Sequence, residues 1–326
     1  MFQYTSQHDM YNIVRHCALP ALCVLAGMML AGCAATSSQP AVPEVAAIGP
    51  GGDDAQYAIS TRSDRIGRIV IPVSINGQPD FRLMLDTGAT HSVLTSKAAA
   101  RLGIDVTQAD TSEVQGVLGR MTAPVVKVDQ LQSGTLKLQN LRVPVIDGSV
   151  VSELDGILGV DGMGDKTITA DFVHDRIRIS DAIGLAPNAL FAVIKFSLVS
   201  HRLVVVDGMV GHIRVSAVID TGGTQTLGNM ALLDALTRKN KDQAMLESGV
   251  IDITNSSQDG RLLLVPSVKL GPADITNAAV LFSDFGVFKV WHLDKRPALL
   301  IGMDVLGQLG ELSINYGRNE LQVRAR

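Results

Sequence analysis

The sequence predicts an all-β chain of two similar lobes. Three observations predict it: an apolar strand running into Asp-Thr-Gly occurs twice, each copy follows a strand-turn-strand pattern, and each is followed at similar range by two apolar residues and a glycine. The first strand-turn is Leu83-Met84-Leu85-Asp86-Thr87-Gly88-Ala89-Thr90. The second is Ala217-Val218-Ile219-Asp220-Thr221-Gly222-Gly223-Thr224. A run of buried-strand type excludes an ionised carboxylate unless that carboxylate is paired or hydrogen-bonded, so each aspartate needs a partner. If the two turns face each other, Asp86 and Asp220 cannot both ionise and hold one proton between them. Such a pair is an acid and a base at one point, able to activate water without a covalent intermediate. Gly88 and Gly222 would let the backbones approach, and the Thr87 and Thr221 hydroxyls could reach the opposite turn.

The hairpins ahead of the turns come first in each lobe. Arg68 to Ile75, Asn76-Gly77 and Phe81 to Leu85 read as two strands around a tight turn, since Asn-Gly between alternating apolar residues is the strongest short hairpin signal. Leu203 to Val206, Val210-Gly211-His212 and Ile213 to Ile219 repeat it, with the turn glycine nine residues ahead of the aspartate in both copies. After each turn a short capped helix is expected, at Ser96 to Gly103 and at Asn229 to Thr237. A glycine-punctuated hairpin tip, Val114-Gln115-Gly116-Val117-Leu118-Gly119-Arg120, follows, with strands at Thr122 to Val128 and Thr135 to Val145. Ile253 to Leu264 is its second-lobe counterpart, with a polar tip expected at Asn255 to Gly260. Ile157-Leu158-Gly159 and Leu300-Ile301-Gly302 come next, their glycines 73 residues after Asp86 and 82 after Asp220. Matching hairpins close the lobes, Thr169 to Ile179 and Leu312 to Val323. Residues 181 to 196 link them.

These marks resemble the aspartic protease superfamily, whose signature is apolar-apolar-Asp-Thr-Gly with a later apolar-apolar-Gly. The compact halves and the Ala89-Thr90 continuation are similar to the bacterial retropepsin-like branch, with two copies fused into one chain in the two-lobed manner of pepsin. The resemblance covers about residues 65 to 326. It implies two β-barrel lobes, Asp86 and Asp220 as catalytic dyad, and Thr87, Gly88, Thr221 and Gly222 as its support. It also implies a flap at Gly116, Val117, Leu118 and Gly119 closing on an extended peptide, with no cofactor and no metal. Of the two tips the first, being more apolar, is the better lid, and neither carries the tyrosine of the pepsin branch. Ala89 and Gly223 stand where that branch commonly has a hydroxyl residue. Without that donor the shared proton should be harder to remove, which places the working range nearer neutral.

Composition fits a globular chain, 46% hydrophobic and 18% charged, with a net charge of −4 and no basic stripe to suggest nucleic acid. Residues 1–32 read as a secretory signal, with an apolar run at Cys17 to Gly32 too short to span a bilayer comfortably. Leu30-Ala31-Gly32-Cys33 resembles the bacterial lipoprotein box, which makes Cys33 the acylated first residue. All three cysteines (Cys17, Cys23, Cys33) lie in or at the edge of this leader, so the body has no disulfide or thiol chemistry. Residues 33–56, rich in Ser, Pro, Ala and Gly, read as a flexible tether. Residues 57–182 and 183–326 are then the two lobes of a monomer lipid-anchored in a bacterial envelope, outer membrane and periplasm-facing.

Rival chemistries find no support. Asp165 separates Gly164 from Lys166 and spoils a phosphate loop, the seven histidines lack metal spacing, and there is no Gly-x-Ser-x-Gly elbow. His91, five residues after Asp86, is read as a surface or packing residue. Two readings without catalysis stay open: a peptide-binding lipoprotein of the same fold and a structural lipoprotein.

Overall fold

The computed structural model describes residues 59–60, 62–63, 67–182, 192–238 and 244–326. The expected leader, Cys33, the tether and residues 183–191 of the link lie outside the described residues. The first lobe runs β1 (Ile59–Ser60), β2 (Arg62–Ser63), β3 (Ile69–Ile75), β4 (Gln78–Leu85), β5 (Val93–Leu94), α1 (Ser96–Arg101), β6 (Asp110–Gln115), β7 (Arg120–Ser133), β8 (Leu136–Pro144), β9 (Gly156–Leu158), β10 (Lys166–Asp171) and β11 (Arg176–Asp181). The second runs β12 (Ala192–Lys195), β13 (Ser197–Val199), β14 (Leu203–Val210), β15 (Ile213–Ile219), β16 (Thr226–Gly228), α2 (Met230–Thr237), β17 (Leu246–Ile251), β18 (Ser257–Leu270), β19 (Ala273–Phe282), α3 (Gly286–Val290), β20 (Ala298–Ile301), α4 (Met303–Leu306), β21 (Glu311–Asn315) and β22 (Glu320–Arg324).

Each lobe is built on an eight-stranded sheet, β5-β9-β4-β3-β7-β6 with β2 and β8 beside it in the first and β13-β14-β15-β20-β16-β19-β18-β17 in the second. The architecture is therefore all-β and two-lobed. Most pairings are antiparallel, but the strand that ends at each aspartate pairs in parallel with an apolar-apolar-Gly strand, β4 with β9 and β15 with β20. β3 and β14, the first strands of the two hairpins, begin as continuous apolar runs, Ile69 to Ile71 and Leu203 to Val206, that are buried on both faces.

The hairpin signal works as its backbone chemistry requires. Asn76 and Gly77 both take positive φ, 50° and 78°, the demand of the two-residue turn whose twist matches its strands. The shared nine-residue spacing hides a difference of one residue. Gly77 is the second turn residue, paired strands resuming at Ile75 and Gln78, whereas Gly211 is the first, between Val210 and Ile213. A register shift between Val73 and Ile75, with Asp80 at φ 65°, absorbs the extra residue and restores the buried face by Phe81.

The first short helix is capped by Thr95 and not by Ser96: the Thr95 hydroxyl accepts the Ala98 N–H at 3.2 Å. In the second lobe Asn229 Oδ1 accepts the Leu232 N–H at 2.9 Å and the Ala298 N–H at 3.2 Å, while its amide donates to Leu293 O and Arg296 O, both at 2.7 Å. One buried side chain thus caps the start of α2 and ties down the segment that leads from α3 into β20. The polar tip expected at Asn255 to Gly260 lies earlier. Ser257 to Gly260 belong to β18, where polar residues alternate on an edge hairpin, and the turn is residues 252–256. The Asp252 carboxylate organises that turn, as described below.

The closing hairpins are not separate. β10 and β21 pair antiparallel, joining both hairpins in one six-stranded sheet, β1-β11-β10-β21-β22-β12, so the last part of the link is itself a strand against β22. A core cluster runs through both lobes, and a smaller one holds Val70, Met84, Val93, Ala123 and Ile157.

Asn229→Ala removes a cap and orphans buried backbone groups. It should lower the unfolding free energy by about 2–4 kcal/mol, read from urea titration of the intact chain.

Candidate active site

β4 and β15 end on Asp86 and Asp220 because their parallel partners carry each chain one residue further: the Asp86 N–H donates to Leu158 O and the Asp220 N–H to Ile301 O, both at 3.0 Å. Beyond each aspartate the chain turns back across its lobe and passes against the glycine of the apolar-apolar-Gly strand. A Cβ on Gly159 would lie 2.6 Å from His91 O, and one on Gly302 would lie 2.8 Å from Gln225 O. That crossing is why glycine ends both segments.

The two turns grip each other. Thr87 Oγ1 donates to Ile219 O at 2.8 Å and accepts the Thr221 N–H at 3.1 Å; Thr221 Oγ1 donates to Leu85 O at 2.8 Å and accepts the Thr87 N–H at 3.1 Å. Both threonines are buried, so these bonds form out of water and the four groups satisfy one another. The grip leaves no room beside the glycines. A Cβ on Gly88 would fall 2.6 Å from Asp220 Oδ1, and one on Gly222 would collide with the Asp86 carboxylate.

The carboxyl groups of Asp86 and Asp220 each lie against the glycine of the opposite turn, close enough that each acts on the other's proton affinity. Burial raises both, and in Asp86 the negative charge of Asp220 adds to the rise, lifting Asp86 well above the ordinary carboxylate value. Asp220 Oδ1 accepts the N–H groups of Gly222 (2.9 Å) and Gly223 (3.0 Å), while Asp86 Oδ1 accepts that of Gly88 (2.8 Å). Asp220 is the carboxylate with more backbone donors, which makes Asp86 the better placed to carry the single proton of the pair. The backbone N–H of Gly223 thus supplies a donor at a position without a hydroxyl side chain.

A family model for aspartyl proteases matches residues 71–161 and 204–305, one stretch in each lobe. The chain belongs to the aspartyl protease family. No curated protein matches it. As in a two-lobed aspartyl protease, each lobe supplies one Asp-Thr-Gly turn to a common point. Among the described residues no group of three or more His, Cys, Asp or Glu could hold a metal ion.

A second layer of this aspartyl protease went unread in the sequence. Asp161 Oδ1 accepts the Ser92 N–H at 2.9 Å and its hydroxyl at 2.7 Å, and Ser92 Oγ accepts the Gly159 N–H at 3.2 Å. Asp304, Thr226 and Gly302 repeat the arrangement at 3.0, 2.7 and 3.1 Å. The signal was there: each acid stands two residues after its glycine, and each hydroxyl six after its dyad aspartate. Arg68 and Arg202 likewise both stand eighteen residues before an aspartate. Arg202 Nη1 crosses to Thr90 O in the other lobe at 2.8 Å, steadying the exit of the Asp86 turn, while Arg68 Nη1 bonds Val150 O at 2.6 Å within its own lobe. His91 is exposed, its ring against the Thr90 hydroxyl at 3.0 Å. Tyr316 is buried, its hydroxyl has no partner among the described residues, and burial followed by the charge of Asp86 pushes its phenol up.

Gly116, Val117, Leu118 and Gly119 form the tip between β6 and β7, as the flap reading requires of a hairpin. The tip does not stand alone. It meets the tip of the second hairpin and α3, where Val117 O accepts the Val287 N–H at 3.2 Å.

Because Asp86 is raised in the folded chain, the native state keeps a proton that the unfolded chain releases. Stability from this group is present below the ordinary value of 3.8 and is lost as pH rises through the raised native value. Asp86→Asn should therefore raise the melting temperature above that of the parent at pH about 8 and match it near pH 3, by calorimetry across that range.

Proposed function

We propose that this chain is an aspartic endopeptidase that hydrolyses peptide bonds through a water activated by Asp86 and Asp220. The observation that supports it best is the pair of carboxyls brought together by two mutually gripped Asp-Thr-Gly turns, each acid against the glycine of the opposite turn. A water between them gives a proton to ionised Asp220 and attacks the carbonyl carbon, while Asp86 gives its proton to the carbonyl oxygen. The resulting gem-diol loses a proton back to one carboxylate as the other protonates the amide nitrogen, the C–N bond breaks, and the pair is left with one proton as before. Thr87, Gly88, Thr221 and Gly222 hold both acids to this geometry, and no cofactor takes part. One chain supplies both acids, so the working unit is a monomer.

The substrates are envelope proteins met in extended form. Cys33, acylated and then made the first residue by removal of residues 1–32, anchors the chain to the periplasmic face of the outer membrane, and residues 33–56 are its tether. This rests on the lipoprotein-like sequence Leu30-Ala31-Gly32-Cys33.

Either Asp86→Asn or Asp220→Asn should lower kcat at least about a hundredfold on a peptide library, with the fold retained by circular dichroism; an Asn variant as active as the parent would refute the reading. Since both acids are raised, the pH-rate profile should fall on the acid side as Asp220 protonates and on the alkaline side as Asp86 ionises, with its maximum above the ordinary carboxylate range. A maximum well below about pH 4 would contradict this. Cys33→Ser should move the chain from the detergent-soluble membrane fraction to the aqueous one, and a parent chain already aqueous would remove the anchor.

A further inference from the structure

The second hairpin tip, residues 252–256, carries a buried carboxylate that the dyad does not use. Asp252 is 5% exposed, and its two oxygens face different lobes. Oδ1 accepts the Thr254 N–H (2.9 Å), the Thr254 hydroxyl (2.6 Å) and the Ser256 N–H (3.3 Å), which folds its own tip. Oδ2 accepts the Leu118 N–H at 2.8 Å and the Gly119 N–H at 3.4 Å, the amides of the first tip. The fit depends on the absence of side chains opposite. A Cβ on Gly116 would collide with Asp252 Oδ2, and one on Gly119 would lie 2.8 Å from the Ser256 hydroxyl. Around this centre the second tip reaches further onto the first lobe. Asn255 Oδ1 accepts the Ser149 N–H at 2.9 Å, and its amide donates to Asp147 O at 3.1 Å. Ile253 packs on the small cluster that also receives Ala89 of the Asp86 turn and Val114 and Met121 of the first hairpin.

The geometry points to Asp252 as a positioning residue that latches the two tips together beside the dyad. Backbone amides at a hairpin tip that would otherwise turn to water are held by a charged acceptor from the opposite lobe, and charge-assisted bonds of this kind are the stronger ones. The latch must part for a polypeptide to pass between the tips, and it re-forms to hold the chain against the carboxyls. This rests on the endopeptidase reading for its purpose, but the latch itself can be read without catalysis.

The test is amide hydrogen exchange of the intact chain, followed over residues 114–121, with steady-state hydrolysis of a short peptide measured in parallel. Asp252→Asn should speed exchange at Leu118 and Gly119 about tenfold or more, while residues 84–88 keep their protection, and should raise KM about tenfold with kcat within about twofold. Gly116→Ala, which parts the tips by setting a methyl group against the Asp252 carboxylate while leaving that residue itself unchanged, should give the same two results. Asp86→Asn should abolish hydrolysis and leave tip exchange unchanged. Unchanged exchange in both Asp252→Asn and Gly116→Ala would overturn the latch, and faster exchange with unaltered KM would overturn its positioning role. If the parent chain cleaves nothing, the exchange results still decide the latch, and only the endopeptidase reading fails.

Discussion

Four hydrogen bonds made by Thr87 and Thr221, two to each other and two to the strand ends opposite, carry the rest of this molecule. They fasten two turns 134 residues apart and bring together the carboxyls that precede them where little solvent reaches. Bulk water then screens the two like charges poorly, so desolvation and repulsion act together on Asp86. A single proton shared by the pair is the least costly arrangement that remains. The glycines on either side are a consequence of the same approach, since any side chain there would occupy the space of the opposite acid.

The surrounding architecture serves to keep that approach rigid. Parallel strands β9 and β20 extend the buried backbone up to each aspartate, and Asp161 and Asp304 brace the crossing chain through Ser92 and Thr226. The six-stranded sheet formed by the closing hairpins joins the lobes by main-chain bonds on the β10–β21 border, so the two aspartates are referred to one continuous framework.

Much of this was legible because the residues that demand a backbone geometry also advertise it. Asn76-Gly77 states its turn, Asn229 its helix start, and the Asp-Thr-Gly pair announces a carboxylate that needs company. What escaped is what depends on non-local contact. The one-residue register difference between the hairpins is invisible when both glycines stand nine residues from an aspartate, since the bulge near Asp80 is chosen by the buried face of β4. The second tip lies earlier than expected because Ser257, Gln258 and Asp259 look like a turn, although they alternate along β18 of the edge hairpin. Asp252 looked like part of no motif. Its partners are amides of the other lobe, 134 residues away, and a periodic reading of one segment cannot reveal them.

The two halves repeat each other closely, yet where their tips meet they have ceased to match. Gly116 and Asp252 occupy the same place, directly after the last paired residue of each hairpin's first strand. Two copies of the first half would meet glycine to glycine with no acceptor for their amides, and two copies of the second would press anion against anion. Neither half suits its own twin. The covalent link between the halves therefore secures a pairing of unlike partners, and the molecule has a distinct left and right hand.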